Sequence, residues 1–143
     1  SWLRTVHAIA LRLQLDPRAA DVAADVLSEL DLHGDHDDID LASELLRLLG
    51  TVGRPEHVAA VIPWLDAPLA PLRGQAARAL GVLGGEDVAR QLVSSLRDDA
   101  PWVAANAARG LVAAGGKRFA EQVAAEHADY AEIIGQAVSE AEA

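Results

Sequence analysis

The stretch from Leu65 to Gly116 decides the fold of this chain, because one pattern is written in it twice. Residues 76–85 read Ala-Ala-Arg-Ala-Leu-Gly-Val-Leu-Gly-Gly. The pattern returns 31 residues later, at 107–116, as Ala-Ala-Arg-Gly-Leu-Val-Ala-Ala-Gly-Gly, and a weaker copy, Leu-Leu-Arg-Leu-Leu-Gly-Thr-Val-Gly, begins at residue 45. A fixed period of about 30 to 45 residues is typical of a solenoid, in which stacked repeats share one core. The sequence therefore predicts a stack of similar units.

Each unit is predicted to be helical. The apolar residues are mainly Ala, Leu and Val at helical spacing, and no alternating β-branched run indicates a strand. Pro63 lies inside one predicted helix and should kink it near Ala59. Gly50 and Gly53 should close another, with a glycine in the left-handed conformation. The predicted helices span residues 2–15, 17–30, 40–49, 55–65, 71–83, 86–96, 101–113, 119–126 and 130–142. The fold class is therefore all-α, with about four antiparallel helix pairs.

Length and composition limit the organisation of the chain. We expect a single domain over residues 1–143, with the weaker, acidic residues 117–143 as a degenerate C-terminal cap, because end repeats need a polar outer face. The absence of Met indicates a fragment of a longer protein. The longest apolar run is far shorter than the roughly 18 to 20 residues that a membrane span needs.

Charge and motifs exclude several function classes. The formal net charge of −10 argues against general nucleic-acid binding, which needs clustered Lys and Arg. With no Cys there are no disulfides and no thiolate zinc sites. The chain has no Gly-x-Ser-x-Gly, no phosphate-binding Gly-Lys-Ser/Thr loop and no His-Glu-x-x-His. We therefore predict no catalytic residues and no cofactor.

The Ala-Ala-Arg-Ala-Leu-Gly-x-Leu-Gly segment, with the Asp-Ala-Pro turn at 66–68 before it, resembles the HEAT-repeat family. More narrowly, it resembles the short bacterial HEAT-like repeats also found in phycobilin lyases. The resemblance implies a right-handed superhelix in which the second helix of each pair lines a concave face, and it implies an interaction scaffold. The family often has Arg near the start of the second helix, but here only Arg73 does, against Ala42 and Ala104. A continuous Asp–Arg ladder between repeats is therefore not predicted.

One polar column recurs at the repeat spacing and forms the candidate binding site. Arg47, Arg78 and Arg109 stand between the apolar positions, and Arg12 joins them if the acidic loop is treated as an insertion. One helical turn earlier stand three polar residues on the same face: Glu44, Gln75 and Asn106. Trp102 lies on that face as well. The predicted partner-binding residues on the concave face are Arg47, Gln75, Arg78, Trp102, Asn106 and Arg109. The alternative is a row of ordinary solvated residues, some paired internally as Glu44 and Arg47 could be.

The acidic loop 31–40 has metal-ligand residue types, among them His33 and His36, but lacks the spacing of a calcium loop. We interpret it as a solvated insertion whose Asp38 or Asp40 caps the next helix, and predict no metal site. His7, His57 and His127 have no evident partners, and we expect His57 to pack half-buried.

Three functional hypotheses follow. The first is a non-enzymatic scaffold that binds a protein or peptide on its concave face, an acidic one if the arginine column contacts it. The second is a HEAT-like enzyme or chromophore-handling protein, of the phycobilin lyase or alkylpurine DNA glycosylase kind. The third is a purely structural packing or oligomerisation domain. We also expect the N-terminal helix to be an open end that supports a homodimer through Trp2, Leu3, Val6, Ile9 and Ala10.

Overall fold

The computed structural model describes residues 17–143, which form α-helices and short 3-10 helices, with no β-strand among them. The α-helices are α1 (Pro17–Glu29), α2 (His36–Val52), α3 (Val58–Val61), α4 (Ala70–Leu83), α5 (Glu86–Leu92), α6 (Pro101–Glu126) and α7 (Ala131–Glu142). The 3-10 helices are Pro55–His57, Ile62–Asp66, Ser94–Arg97 and Ala128–Tyr130. The all-α prediction is confirmed. The predicted helix 2–15 and the homodimer contact through it lie outside the described residues.

The second helices of successive pairs stack side by side. Helix α4 packs between α2 and α6, and α7 packs on α6. Leu49, Leu80 and Leu111 stand at the 31-residue spacing and are fully buried in one continuous apolar cluster. Burial between neighbouring repeats, rather than around one centre, is what makes this an α-solenoid. Four helix pairs are present within residues 17–143, the last formed by 117–126 and α7.

The first helices of the two central pairs are short and change type. The predicted helix 55–65 consists of a 3-10 turn, the four-residue α3 and the 3-10 helix Ile62–Asp66, so the single kink near Ala59 is wrong. Pro63 has no N–H and cannot donate the α-helical bond to Ala59. However, the segment 86–97 contains no proline and also ends in a 3-10 helix, Ser94–Arg97. The tightened end therefore belongs to the hairpin and not to Pro63 alone.

The ends of α2 differ from the prediction. The helix begins at His36 because Asp35 is its N-cap: the Asp38 N–H donates to Asp35 Oδ1 at 3.0 Å. The capping role predicted for Asp38 or Asp40 is therefore wrong. Gly50 remains helical, and a Cβ on it would lie 3.4 Å from Ala79 Cα in α4. Gly53 has φ −68°, so neither predicted glycine is left-handed.

Left-handed glycines do mark the later repeat boundaries. Gly84 and Gly85, which separate α4 from α5, have φ of 84° and 106°. Gly116 also has φ 84° and interrupts α6, which confirms the predicted break between helices 101–113 and 119–126. Only glycine adopts this backbone without strain, so the repeated Gly-Gly pair sets the angle between one second helix and the next first helix.

Candidate functional site

The predicted binding residues lie together on the exposed face shared by α2, α4 and the first half of α6, here called the second-helix face. Arg47 lies on α2, Gln75 and Arg78 on α4, and Trp102, Asn106 and Arg109 on α6. Arg78 and Arg109 are exposed, whereas Arg47 is half-buried. The three helices stack through their buried leucines, which recur every 31 residues. Because the arginines recur at the same spacing, each lies at the equivalent position of its helix.

The two outer arginines of this row are paired internally. Arg47 Nη1 donates to Glu44 Oε1 at 2.8 Å, the pairing that the sequence left open. Arg109 Nε donates to Glu140 Oε2 of α7 at 2.7 Å. The hydrogen bond raises the pKa of Arg109 and lowers the pKa of Glu140. Within residues 17–143, Arg78 has no hydrogen-bond or ion-pair partner.

Amide side chains join neighbouring helices on the same face. Gln75 Nε2 donates to Ser43 Oγ of α2 at 3.0 Å. Asn106 Nδ2 donates to the Gly74 carbonyl of α4 at 3.3 Å, and its Oδ1 accepts from Arg109 Nη1 at 3.2 Å. These bonds hold the polar column in register, so it is a preorganised surface and not a set of independent side chains.

Trp102 is a fixed aromatic group at one edge of the face. Its side chain is 45% exposed, yet a Cβ on Gly74 would lie 2.3 Å from the indole ring. The indole therefore rests on the backbone of α4 where glycine leaves room. A ring that is immobilised on one side and open on the other is suited to anchor a partner.

A shallow groove of about 320 Å³ runs between α4 and α6 beside the row. Its floor is backbone, because a Cβ on Gly81 would lie 2.5 Å from Gly110 Cα. Val82, 56% exposed, forms one wall. The lining residues are Arg78, Gly81, Val82, Asn106, Arg109, Gly110 and Ala113.

A second polar cluster joins α1 to the start of the next repeat, and sequence reasoning missed it. His57 is only 4% exposed, and both of its ring nitrogens have partners. Nδ1 accepts from the Arg54 N–H at 2.9 Å, and Nε2 lies 2.7 Å from Asp21 Oδ1. The expectation that His57 has no partner and packs half-buried is therefore wrong. Asp21 is 36 residues away, and no local spacing reveals such a contact.

Asp21, Glu56 and His57 bring their ligand atoms within 4.8 Å of one another, the one such group in the described part of the chain. Their chemistry does not fit a metal. Because Nδ1 accepts a backbone N–H, the neutral ring carries its proton on Nε2, the atom that would have to bind the ion. Arg54 already serves as the cation, with Nη2 2.7 Å from Asp21 Oδ1 and Nε 2.6 Å from Glu56 Oε1. The hydrogen bond from His57 lowers the pKa of Asp21.

The acidic loop is used locally. Asp31 Oδ1 accepts from the His33 N–H at 2.9 Å, and Asp35 caps α2. Within residues 17–143, the carboxylates and imidazoles of this loop do not come close enough together, or to others, to form a group of metal ligands.

Arg73 connects two repeats. Its Nε and Nη2 bond the two oxygens of Asp98 at 2.7 and 3.0 Å. Its Nη1 also donates to the carbonyls of Ala67 and Pro68 at 2.9 and 3.1 Å. This is one rung of the ladder, at the single position where the sequence provides the arginine.

Stacked helical hairpins with a 31-residue period define an α-solenoid. The family model for HEAT repeats matches residues 24–113, more than half of the chain, and the chain belongs to the HEAT-repeat family. The comparisons with curated proteins and with solved structures gave no significant match. None of the helices within residues 17–143 is long and apolar enough to cross a membrane.

Proposed function

We propose that this protein is a non-enzymatic scaffold that binds an acidic protein or peptide segment on its second-helix face, the concave face in HEAT-repeat architecture. HEAT repeats generally mediate protein interactions. The observation that carries the acidic preference is Arg78, an exposed guanidinium with no ion-pair partner within residues 17–143, set between two arginines that are paired. The N–H groups of a guanidinium donate in a planar fork to the two oxygens of a carboxylate, which makes Arg78 a specific binding site for acidic side chains.

The neighbouring residues support peptide binding. Trp102 offers a half-exposed ring that is already immobilised on Gly74, so little rotamer entropy is lost when a partner covers it. Val82 adds exposed apolar surface on the other side of the arginine row. An aromatic anchor, a charged centre and an apolar margin are the parts from which protein interfaces are built.

Nothing in the described residues supports the enzymatic alternative as well. The nearest approach to an acid–base pair is His57 with Asp21, but both imidazole nitrogens are engaged and the ring is buried. Such a ring has no nitrogen available to a substrate. Nucleic acid is also disfavoured as a partner, because the net charge of −10 repels a phosphate backbone.

Titration of a panel of labelled peptides in solution tests the proposal. Fluorescein-labelled peptides rich in Glu or Asp are compared with Gln or Asn versions of the same length by fluorescence anisotropy. The double variant Arg78→Ala, Arg109→Ala should weaken the tightest acidic peptide by about tenfold or more, because each charged hydrogen bond contributes roughly that factor. Its melting temperature should change little, since exposed ion pairs contribute at most about 1 kcal/mol.

Arg118→Ala is the matched control. Arg118 is exposed and lies beyond the break at Gly116, outside the second-helix face. It removes one positive charge, as each substitution of the double variant does, and should leave the affinity unchanged. The proposal fails if no acidic peptide binds, or if the double variant binds as tightly as the control.

A further inference from the structure

The outer two arginines of the row, Arg47 and Arg109, have carboxylate partners, whereas the central one, Arg78, has none within residues 17–143. Arg47 holds Glu44 of its own helix, and Arg109 holds Glu140, which stands 31 residues after it at the equivalent position of the next repeat. The residue 31 positions after Arg78 is Arg109, another cation. The stacking contact that supplies a carboxylate to Arg109 therefore supplies none to Arg78.

We propose that Arg78 and the adjoining groove between α4 and α6 form a pocket for one carboxylate side chain followed by one aliphatic side chain of a partner peptide. This inference rests on the proposed function and names the ligand of its central position. The pair Arg109–Glu140 shows the contact that the row makes when a carboxylate is present, at 2.7 Å.

The guanidinium of Arg78 is free to receive such a ligand. Its Nη1 lies 3.7 Å from the point where a Cβ on Gly50 would stand, so it extends over a residue of α2 that has no side chain to cover it. Arg78 also lines the groove, with Val82 and Ala113 as its exposed apolar lining. Val82 lies one helical turn after Arg78 on the same helix face, so the side chain beside a carboxylate bound on Arg78 can contact it when the peptide backbone turns at that point.

The size and charge of the pocket favour a carboxylate over a phosphate. A volume of about 320 Å³ lies at the lower end for ligand pockets and suits a short peptide segment. Of the two guanidiniums that line the groove, Arg109 is paired with Glu140, and Arg78 alone has no partner within residues 17–143. The chain carries a net charge of −10. A dianionic phosphate meets more repulsion from that charge than a monoanionic carboxylate does.

Three glycines provide reporters for an NMR titration of the whole 143-residue chain. Gly50 lies beside the guanidinium of Arg78, and Gly81 and Gly110 form the groove floor, so their backbone amide signals report on the pocket. The probes are acetylated and amidated Ser-Glu-Leu-Ser, its Gln-for-Glu and Ala-for-Leu analogues, and inorganic phosphate. NMR at millimolar peptide concentration measures even a weak, single-pocket affinity.

Ser-Glu-Leu-Ser should shift the three glycine signals in a saturable way. The Gln analogue should bind about tenfold more weakly, from loss of the charged hydrogen bonds. The Ala analogue should bind about fivefold more weakly, from loss of apolar contact. Arg78→Ala and Val82→Asp should abolish the shifts, and Arg118→Ala should retain them. The dispersion of each variant's spectrum establishes that it is folded.

Equal binding of the Glu and Gln peptides would overturn the pocket, as would a response of the three glycines to phosphate alone. A failure of the pocket differs visibly from a failure of the proposed function. Acidic peptides that shift only the signals of Trp102 and Asn106 would leave the binding face in place and remove Arg78 as its centre. No response of the second-helix face to any acidic peptide would remove both.

Discussion

Replacing Arg73 with Ala should lower the free energy of unfolding by about 3 kcal/mol, a large effect for a single partly exposed side chain. Arg73 is 20% exposed and Asp98 11% exposed, so the pair is only weakly screened by water. Truncation leaves the Asp98 carboxylate with the Ala100 N–H as its remaining bond, at 3.0 Å, and removes a donor from two backbone carbonyls.

The magnitude follows from these contacts. Hydrogen bonds to charged groups contribute about 1.5–3 kcal/mol each, and breaking a fully buried pair costs about 3–5 kcal/mol. Partial exposure places Arg73→Ala near the lower end of the second range. For a chain of this size the melting temperature should fall by about 6–12 °C. Arg73→Lys keeps the charge but not the bidentate geometry, and should lose roughly half as much.

Urea unfolding followed by circular dichroism measures the change, and a double-mutant cycle with Asp98→Ala isolates the pair. We expect a coupling energy above about 1 kcal/mol. The hydrogen bond from Arg73 lowers the pKa of Asp98 in the folded state. The pair's stabilisation is therefore fully present above the unfolded pKa of about 3.9 and is lost as pH falls through the lower folded pKa.

The difference in stability between the wild type and Arg73→Ala should accordingly be constant near pH 7 and shrink below about pH 4. A coupling energy under about 0.5 kcal/mol would refute the clamp between repeats. So would a difference in stability that persists unchanged when the carboxylate is protonated.

Four further outcomes are expected. Gly74→Ala places a methyl group against the indole of Trp102. We expect the free energy of unfolding to fall by about 1–3 kcal/mol and the tryptophan emission to shift to the red; unchanged emission would contradict the packing of the indole on α4. Glu140→Gln releases Arg109 from its carboxylate and should tighten an acidic peptide about threefold by anisotropy, and equal or weaker binding would show that Arg109 takes no part. His57→Ala removes a buried side chain with two hydrogen bonds and should lower the free energy of unfolding, measured by urea denaturation, by about 2 kcal/mol. Zinc ions should leave the wild-type melting temperature unchanged, and a rise of several degrees would restore the metal hypothesis.

The repeat period and the apolar columns determined the all-α solenoid from the sequence alone. Leu49, Leu80 and Leu111 recur at a spacing that one helix pair repeats, so the period by itself predicts that all three are buried. The sequence predicted separate helices at 101–113 and 119–126, and the break between them lies at Gly116, whose left-handed backbone only glycine accepts without strain. The placement of the arginine row on the exposed side followed from the same periodicity.

The partners of polar side chains were decided only by the tertiary structure. Asp21 with His57, Arg73 with Asp98 and Gln75 with Ser43 are each joined across separate helices. The helix ends also moved, because Asp35 supplied a cap and Gly50 packed on α4. Apolar burial depends on a period that is written in the chain. A hydrogen bond depends on distances of a few tenths of an ångström and on direction, and these exist only once the repeats are stacked.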